Sequence, residues 1–156
     1  MTDAANGAFV LRPGEGRTIP LGSFAMSLKA DGGASGDALT LLEAAEPAGF
    51  GPPLHIHHDC AEAFYVLERE YLIFLAGGQF DCPAGSFIYV PQGVEHGFRV
   101  GDRPSRKLNL YAPAAMVGYF DELSAALARN AGVSELDEIA GRNGMEITGP
   151  VPEGYV

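Results

Sequence analysis

The chain has 156 residues, of which 20 are Asp or Glu and 10 are Lys or Arg, so its formal net charge is −10. A surface that binds phosphate backbones needs clustered cations, and this charge balance excludes a basic nucleic-acid surface. No uncharged apolar run approaches the roughly 20 residues of a membrane span, and the N-terminus lacks a basic region followed by an apolar stretch. We therefore expect a cytoplasmic protein that contacts neither nucleic acid nor membrane.

Short apolar runs separated by Gly, Pro and Asp fill the first two thirds of the chain and are typical of an all-β sandwich or barrel. We expect a barrel over about residues 8–112, and Gly77-Gly78 predicts a tight hairpin within it because glycine accepts positive φ values. No linker or repeat divides the chain, which predicts a single domain over residues 1–156. The strand candidates are Phe24–Leu28, Leu39–Leu42, Phe64–Leu67, Tyr71–Leu75, Phe87–Val90 and Leu108–Tyr111.

The pattern becomes helical after Pro113, and we expect short C-terminal helices over about residues 113–144. A second helix is expected to begin at a capping box formed by Ser134 and Asp137 and to end at Asn143-Gly144. The first helix presents one apolar face, because its large side chains recur at three- and four-residue steps: Met116, Tyr119, Phe120, Leu123 and Leu127.

Three histidines and one glutamate form the pattern with the clearest chemical meaning. His55 and His57 are two residues apart, so on a strand both imidazoles lie on one face. Glu62 follows after a segment long enough to turn back to the same point, and His96 begins another strand candidate after a Pro-Gln-Gly turn. We predict that these four side chains hold a metal ion. His58 has the opposite parity and is expected to be a solvated loop residue.

These residues resemble the two motifs of the cupin family. Gly49, His55, His57 and Glu62 have the spacing of the first motif, and the segment from Gly85 through Pro91-Gln92-Gly93 to His96 has that of the second. The resemblance implies a cupin jelly-roll β-barrel, often dimeric, with one metal ion held inside it.

Two positions depart from the motifs. Arg69 replaces the glycine that usually closes the first motif, so we expect another turn geometry there. Val100 replaces the asparagine that often closes the second.

A site of three imidazoles and one carboxylate suits one divalent transition metal ion. Fe, Mn, Ni, Co, Cu and Zn are all compatible with it, and the sequence does not choose among them. Four protein ligands leave one or two positions open on an ion that prefers five or six, which is what a site needs to bind substrate, water or dioxygen.

Aromatic and aliphatic side chains are expected to form a substrate pocket beside the metal ion. Phe64 and Phe98 each lie two residues from a ligand on the same strand face, and few cations lie near the ligands. This favours a small, largely aromatic substrate over a polyanion. The predicted pocket residues are Phe50, Phe64, Phe98, Tyr111, Met116 and Tyr119.

Among cupins the chain looks most like small quercetinase-type dioxygenases. The resemblance lies in Gly51–His57, Glu62–Leu67 and Ile147–Pro150. It implies dioxygen addition to a small aromatic or enolic substrate, with Glu62 as both ligand and catalytic base. Two alternatives stay open: a non-redox isomerase or polyketide cyclase with a Lewis-acid metal, and a ligand-binding cupin without catalysis. We also expect a homodimer, because several strands are apolar on both faces.

Overall fold

The computed structural model describes residues 2–3 and 7–150, which form two large antiparallel sheets, a two-stranded sheet of Thr2–Asp3 and Phe9–Val10, and three short helices. The elements are β1 (Thr2–Asp3), β2 (Phe9–Val10), β3 (Arg17–Leu21), β4 (Phe24–Ala30), α1 (Gly32–Ser35), β5 (Thr40–Glu46), β6 (His55–His57), β7 (Ala61–Glu68), β8 (Glu70–Leu75), β9 (Gly78–Pro83), β10 (Phe87–Val90), β11 (His96–Val100), β12 (Ser105–Ala112), α2 (Val117–Ala128), α3 (Val133–Arg142) and β13 (Met145–Ile147).

The strands confirm the expected all-β jelly-roll architecture. One sheet has six strands in the order β10-β7-β12-β5-β4-β3, and the other has five in the order β13-β6-β11-β8-β9. Alternate residues of β5 and β7 are buried, which is the pattern of a strand with one face toward a core. Five of the six strand candidates from the sequence lie wholly on these strands, and the sixth, Leu39–Leu42, begins one residue before β5.

The hairpin between β8 and β9 differs from the sequence prediction by one residue. Leu75 pairs with Gly78, so the turn consists of Ala76 and Gly77, which have φ values of 49° and 83°. Positive φ at both central residues gives a turn whose twist matches that of the flanking strands. Gly78 is therefore the first residue of β9, and the alanine takes a left-handed position that the sequence had assigned to glycine.

Arg69 lies in the turn between β7 and β8 and has a φ of 62°. The expectation of another turn geometry is wrong, because the arginine occupies the left-handed conformation that glycine favours. The backbone carbonyl of Arg69 accepts a hydrogen bond of 2.8 Å from the amide of Ala84. This hydrogen bond accompanies a conformation that is unfavourable for a residue with a Cβ atom.

The C-terminal helices lie within the predicted range, but their starts differ in detail. The N-cap of α3 is Gly132 and the helix begins at Val133, so Ser134 lies inside it and the predicted capping box is wrong. Asn143 is the C-cap as expected, and Gly144 follows with a φ of 73°. The apolar face of α2 packs on the core beneath β3 and β4.

The sequence analysis did not predict two of the observed elements. A single helical turn, α1, forms in the glycine-rich stretch after β4, where Asp31 caps it by accepting a hydrogen bond from the amide of Ala34. Beyond the predicted helical region, β13 pairs with β6, opposing Met145 to His57 and Ile147 to His55. The C-terminal strand thus supports the strand that carries two of the predicted metal ligands.

Among the described residues, no helix combines the length and apolarity that crossing a bilayer requires.

Candidate metal centre

Three strands from both sheets bring the four predicted ligands together. His55 and His57 are the first and last residues of β6, and both are buried while Ile56 between them is half-buried. His96 begins β11 and pairs directly with His55. Glu62, on β7 of the other sheet, is buried beside them. Strand alternation and antiparallel register therefore place all four side chains in the same part of the interior.

Glu62 is in contact with two of the three histidines. Its Oε2 atom lies 2.7 Å from Nε2 of His96 and 2.8 Å from Nε2 of His57. One candidate ligand atom from each of the four residues lies within 4.8 Å of all the others. Ligands bonded at about 2.0–2.2 Å are at most about 4.4 Å apart, so the cluster needs to contract only slightly around an ion.

Backbone carbonyls orient two of the imidazoles. Nδ1 of His55 lies 2.8 Å from the carbonyl oxygen of Pro53, and Nδ1 of His96 lies 2.9 Å from that of Val94. A carbonyl only accepts hydrogen bonds, so both Nδ1 atoms carry the proton and donate. The Nε2 atoms then face the centre as potential ligands, which is the arrangement that metal-binding histidines adopt.

His57 provides the observation that tests whether an ion fits. Its Nε2 is close to Glu62 in distance but not in hydrogen-bond geometry, and both of its ring nitrogens are buried without a hydrogen-bond partner in the described part of the chain. A buried unpaired polar atom is costly and calls for an explanation. A metal ion bound to Nε2 would satisfy that atom, so the residues present fit such an ion.

The charges of the cluster shift the pKa values of its members. Burial alone would raise the pKa of Glu62, but the close contacts and charges of His57 and His96 outweigh it and hold that pKa well below its usual range. Burial likewise disfavours the charged form of His96, but Glu62 outweighs it and raises the pKa. His55 lacks such a contact, and burial lowers its pKa to about 4. His55 is therefore neutral and ready to act as a ligand at pH 7.

A cavity opens beside the four residues and encloses about 650 Å³, including the part open to solvent. All six predicted pocket residues lie on its wall, together with His55, His57 and Glu62. Further wall residues come from β3, β4, α2 and β13 and are mostly apolar: Leu21, Phe24, Met26, Phe120, Leu123, Met145 and Ile147. The space beside the candidate centre is thus mostly apolar.

Tyr111 is the polar group of this wall nearest to the candidate ligands. It pairs with Glu62 across β12 and β7, and its ring centroid lies 5.5 Å from that of His57. Burial first, and then the charge and hydrogen bonding of Glu62, raise the pKa of the Tyr111 phenol well above its ordinary value. The phenol therefore keeps its proton at pH 7.

The sequence interpretation missed a second buried polar group inside the barrel. Lys107 and Asn109 on β12 and Glu46 on β5 are each at most 4% exposed, and Glu46 and Asn109 line the cavity. A signal was present, because polar residues recur at every second position from Ser105 to Tyr111 while Leu108 and Leu110 occupy the alternate positions. That alternation puts the polar set on one face of the strand.

Two residues near the centre stay outside the cluster. The side chain of His58 is about half exposed and pairs with Glu146 at 2.8 Å, which agrees with its expected place in a solvated turn. Cys60 is buried as a free thiol, and Cys82 is also unpaired.

Comparison with known proteins finds a family match over part of the chain that includes this site. A sequence model described as a cupin domain matches residues 41–111, which include the two motif histidines of β6, Glu62 and His96. Quercetin 2,3-dioxygenase of Bacillus subtilis is 28% identical over 98 residues, which is 63% of this chain and 29% of that relative. The chain therefore spans less than a third of the length of that relative.

Solved structures share the fold. An RmlC-like cupin from Shewanella frigidimarina superposes with a TM-score of 0.57 at 18% identity, over 73% of this chain and 96% of the other. The polyketide cyclase RemF from Streptomyces resistomycificus has a TM-score of 0.57 at 21% identity, over 67% and 79% of the two chains. These chains share the two-sheet barrel and the domain match covers the four clustered residues, so the chain has the cupin jelly-roll fold and matches the cupin domain over residues 41–111.

Proposed function

We propose that the chain is a metal-dependent dioxygenase, quercetinase-like in its chemistry, that adds dioxygen to a small aromatic or enolic substrate. The observation that carries this proposal is the cluster of His55, His57, Glu62 and His96 on the wall of an apolar, aromatic cavity. The identity of 28% to a quercetin 2,3-dioxygenase supports the same reaction class.

The metal ion, when bound, would supply Lewis acidity that favours the ionised form of a substrate hydroxyl and an open position for its oxygen. Glu62 is ionised at neutral pH, so its carboxylate can accept the proton that this hydroxyl loses. Tyr111 lies beside Glu62 and remains protonated, so its phenol can donate a hydrogen bond to the carboxylate or to a substrate oxygen.

The pocket would select the substrate by shape and polarity. Phe50, Phe64 and Phe98 line one part of the cavity, and Tyr119 and Met116 approach it from the start of α2. The centroids of Phe64 and Phe98 are 6.0 Å apart, and those of Phe50 and Phe98 are 6.1 Å apart. These rings pack against one another at steep angles, so the wall offers aromatic faces and edges on which a planar ring can pack, which favours an aromatic guest over an aliphatic one.

Two further expectations belong to this proposal. We propose a homodimer, supported by an exposed outer aromatic patch on the six-stranded sheet, formed by Tyr65, Phe87 and Tyr89. We propose a cytoplasmic location, supported by the unpaired state of Cys60 and Cys82, since thiols persist in reducing compartments.

Oxygen uptake tests the proposed reaction. Protein reconstituted separately with Fe, Mn, Ni, Co or Cu is expected to consume dioxygen in the presence of a flavonol, at a rate that falls at least about a hundredfold in Glu62→Gln and His96→Ala. His58→Ala is the matched control, because this histidine lies outside the cluster, and it should keep the rate of the unaltered protein.

The same assay distinguishes other reactions. Turnover of a substrate with zinc bound and without dioxygen would contradict the oxygenase proposal and favour an isomerase or cyclase. A bound flavonol that is recovered unchanged with every metal would favour a ligand-binding protein.

A further inference from the structure

A second buried polar cluster lies inside the barrel and has no part in the proposed metal centre. Nζ of Lys107 forms an ion pair with Oε1 of Glu46 at 2.9 Å and donates a hydrogen bond of 2.7 Å to Oδ1 of Asn109. The hydroxyl of Tyr71 donates a further hydrogen bond of 3.0 Å to Oε1 of Glu46. Lys107 is fully buried, Tyr71 likewise, and Glu46 is 3% exposed. The carboxylate is thus fixed in position by two buried neighbours.

The ammonium group of Lys107 lies among aromatic rings as well as polar atoms. Nζ is 4.2 Å from the ring centroid of Phe98, 5.1 Å from that of Phe64 and 5.5 Å from that of Tyr71. Lys107 is not among the residues that line the cavity beside the metal centre. Lys107 therefore serves to position the side chains of Glu46 and Asn109.

Glu46 differs from Lys107 because it lies on the cavity wall. The cavity that contacts His55, His57 and Glu62 is also lined by Glu46 and Asn109. Among the described residues, the hydrogen bond from Tyr71 and the ion pair with Lys107 both involve Oε1 of Glu46, so Oε2 retains its lone pairs. A guest in the cavity therefore meets a second, fixed hydrogen-bond acceptor besides the metal centre.

The two polar positions are separated along β12. Tyr111 pairs with Glu62, whereas Lys107, which holds Glu46, lies four residues earlier on the same buried face. At about 3.3 Å per residue this corresponds to roughly 13 Å along the strand. The ring of Phe64 contacts both positions, with its centroid 5.1 Å from the ammonium nitrogen of Lys107 and 6.3 Å from the ring centroid of His96.

We propose that Glu46 is a specificity-determining residue, which accepts a hydrogen bond from a hydroxyl at the end of the substrate remote from the metal. The substrate is then an elongated molecule with an ionisable enol or phenol at one end, an aromatic body and a hydrogen-bond donor at the other. This inference rests on the proposed function, because it takes the metal centre as the anchor of the first end.

A matched pair of flavonols tests the inference. Kaempferol carries a hydroxyl at the ring position farthest from its metal-binding hydroxyl and ketone, and kaempferide carries a methoxy group there. Their dissociation constants are measured by fluorescence titration with zinc-loaded protein, because zinc is redox-inert and holds the substrate without oxidation. Unaltered protein is expected to bind kaempferol about tenfold more tightly, since only the hydroxyl can donate to the carboxylate.

The Glu46→Gln variant should remove this preference. The glutamine oxygen can still accept from Lys107 and Tyr71, while its amide turns a donor toward the cavity and favours the methoxy oxygen. The ratio of the two affinities should therefore fall at least tenfold, with one bound zinc retained. Glu43→Gln is the control, because Glu43 lies on the same strand but forms ion pairs with Lys29 and Arg106 outside the cavity.

The possible failures are distinct. Equal affinity of the two flavonols for the unaltered protein overturns the role of Glu46, and this comparison needs no variant to fold. The same ratio in Glu46→Gln as in the unaltered protein also overturns it. If neither flavonol binds zinc-loaded protein, the proposed flavonol chemistry fails and the inference fails with it. A flavonol affinity that depends on His55 but not on Glu46 leaves the proposed function standing and overturns this inference alone.

Discussion

Glu62 is the residue that connects the two sheets at the candidate centre. Its carboxylate comes from the six-stranded sheet and meets His57 and His96 of the five-stranded sheet at 2.8 and 2.7 Å. Without a metal ion this contact depends on a proton shared with the imidazoles. A bound ion would be held by His57, Glu62 and His96 together with His55, and its binding would release protons from the cluster.

The pH dependence of the metal-free protein follows from opposite shifts in two histidines. Burial lowers the pKa of His55 in the folded protein to about 4. As pH falls below 6.5, this histidine is therefore protonated in the unfolded chain before it is protonated in the folded one, and the free energy of unfolding decreases between pH 6.5 and 4. His96 is also buried, but Glu62 raises its pKa, so its contribution is present below pH 6.5 and is lost as pH rises through the folded-state pKa. Because folding lowers the pKa of Glu62, this residue contributes stability above the ordinary carboxyl pKa, and that contribution is lost only as pH falls below it.

We therefore expect the free energy of unfolding of the metal-free protein to be largest near pH 6.5. Urea unfolding in the presence of a chelator at pH 5, 6.5 and 8 measures this directly. In His96→Gln the decline between pH 6.5 and 8 should disappear, whereas His58→Gln should keep it. A decline of equal size in His96→Gln would show that another group causes it.

At the residue scale, the sequence was sufficient to predict the cluster of four side chains, but it did not predict that Glu46 is buried. His55 and His57 share a strand face by simple alternation, and the motif spacing located Glu62 and His96. Glu46 closes a strand whose inward positions are otherwise Thr40, Leu42 and Ala44, and a glutamate at a strand end usually faces solvent. Its burial depends on Lys107 from a neighbouring strand, which only the register of β5 and β12 reveals.

Among the elements, β12 organises the interior most completely. Its four inward residues run from Ser105 beside β8 to Tyr111 beside Glu62, and its neighbours in the sheet are β5 and β7. The sequence predicted the strand from its apolar residues, but Leu108 and Leu110 occupy the opposite, half-buried face. The apolar residues were enough to predict the strand. Which face of the sheet each of its residues occupies became clear only from the pairing of β12 with β5 and β7.

The turn between β7 and β8 yields a stability prediction. Arg69 holds a φ of 62°, which costs a residue with a Cβ atom about 1–2 kcal/mol, while glycine costs about 0.5–1 kcal/mol in backbone entropy. Arg69→Gly is expected to stabilise the fold by roughly 0.5–1 kcal/mol and to raise Tm by a few degrees. Differential scanning calorimetry measures the change.

Arg103→Gly is the control for that substitution. Arg103 is an exposed arginine in the loop between β11 and β12 and is not among the residues with positive φ. It should leave Tm unchanged or lower it. A lower Tm for Arg69→Gly would mean that contacts of the arginine side chain outweigh its backbone conformation.

Turns and caps were the elements that the sequence predicted least well, for a physical reason. The turn after β8 uses Ala76 where glycine was expected, and α3 starts at Gly132 rather than at Ser134. The energies that separate such neighbouring registers are about 1 kcal/mol, which the packing of the flanking elements easily overrides.

At the scale of the whole molecule, the outer aromatic patch of Tyr65, Phe87 and Tyr89 predicts self-association. Phe87 and Tyr65 lie directly opposite each other on β10 and β7 and are 66% and 45% exposed. Sedimentation equilibrium is expected to give twice the chain mass of 16.4 kDa for the unaltered protein. Phe87→Lys should shift it toward the monomer, because a charge in an apolar interface is left unpaired.

Phe80→Lys is the matched control for the dimer. Phe80 is 52% exposed, but it lies on β9 of the other sheet. It should leave the dimer intact. A monomer in the unaltered protein, or equal dissociation by both substitutions, would remove the patch as the interface.

The metal content of the purified protein tests the central claim most directly. Protein prepared without a nickel column, and reconstituted where needed, is measured by inductively coupled plasma mass spectrometry beside His55→Ala/His57→Ala and a His58→Ala control. We predict about one equivalent of a divalent transition metal in the unaltered protein and in the control, and its loss in the double variant. No metal after reconstitution, or equal content in the double variant, would contradict the account.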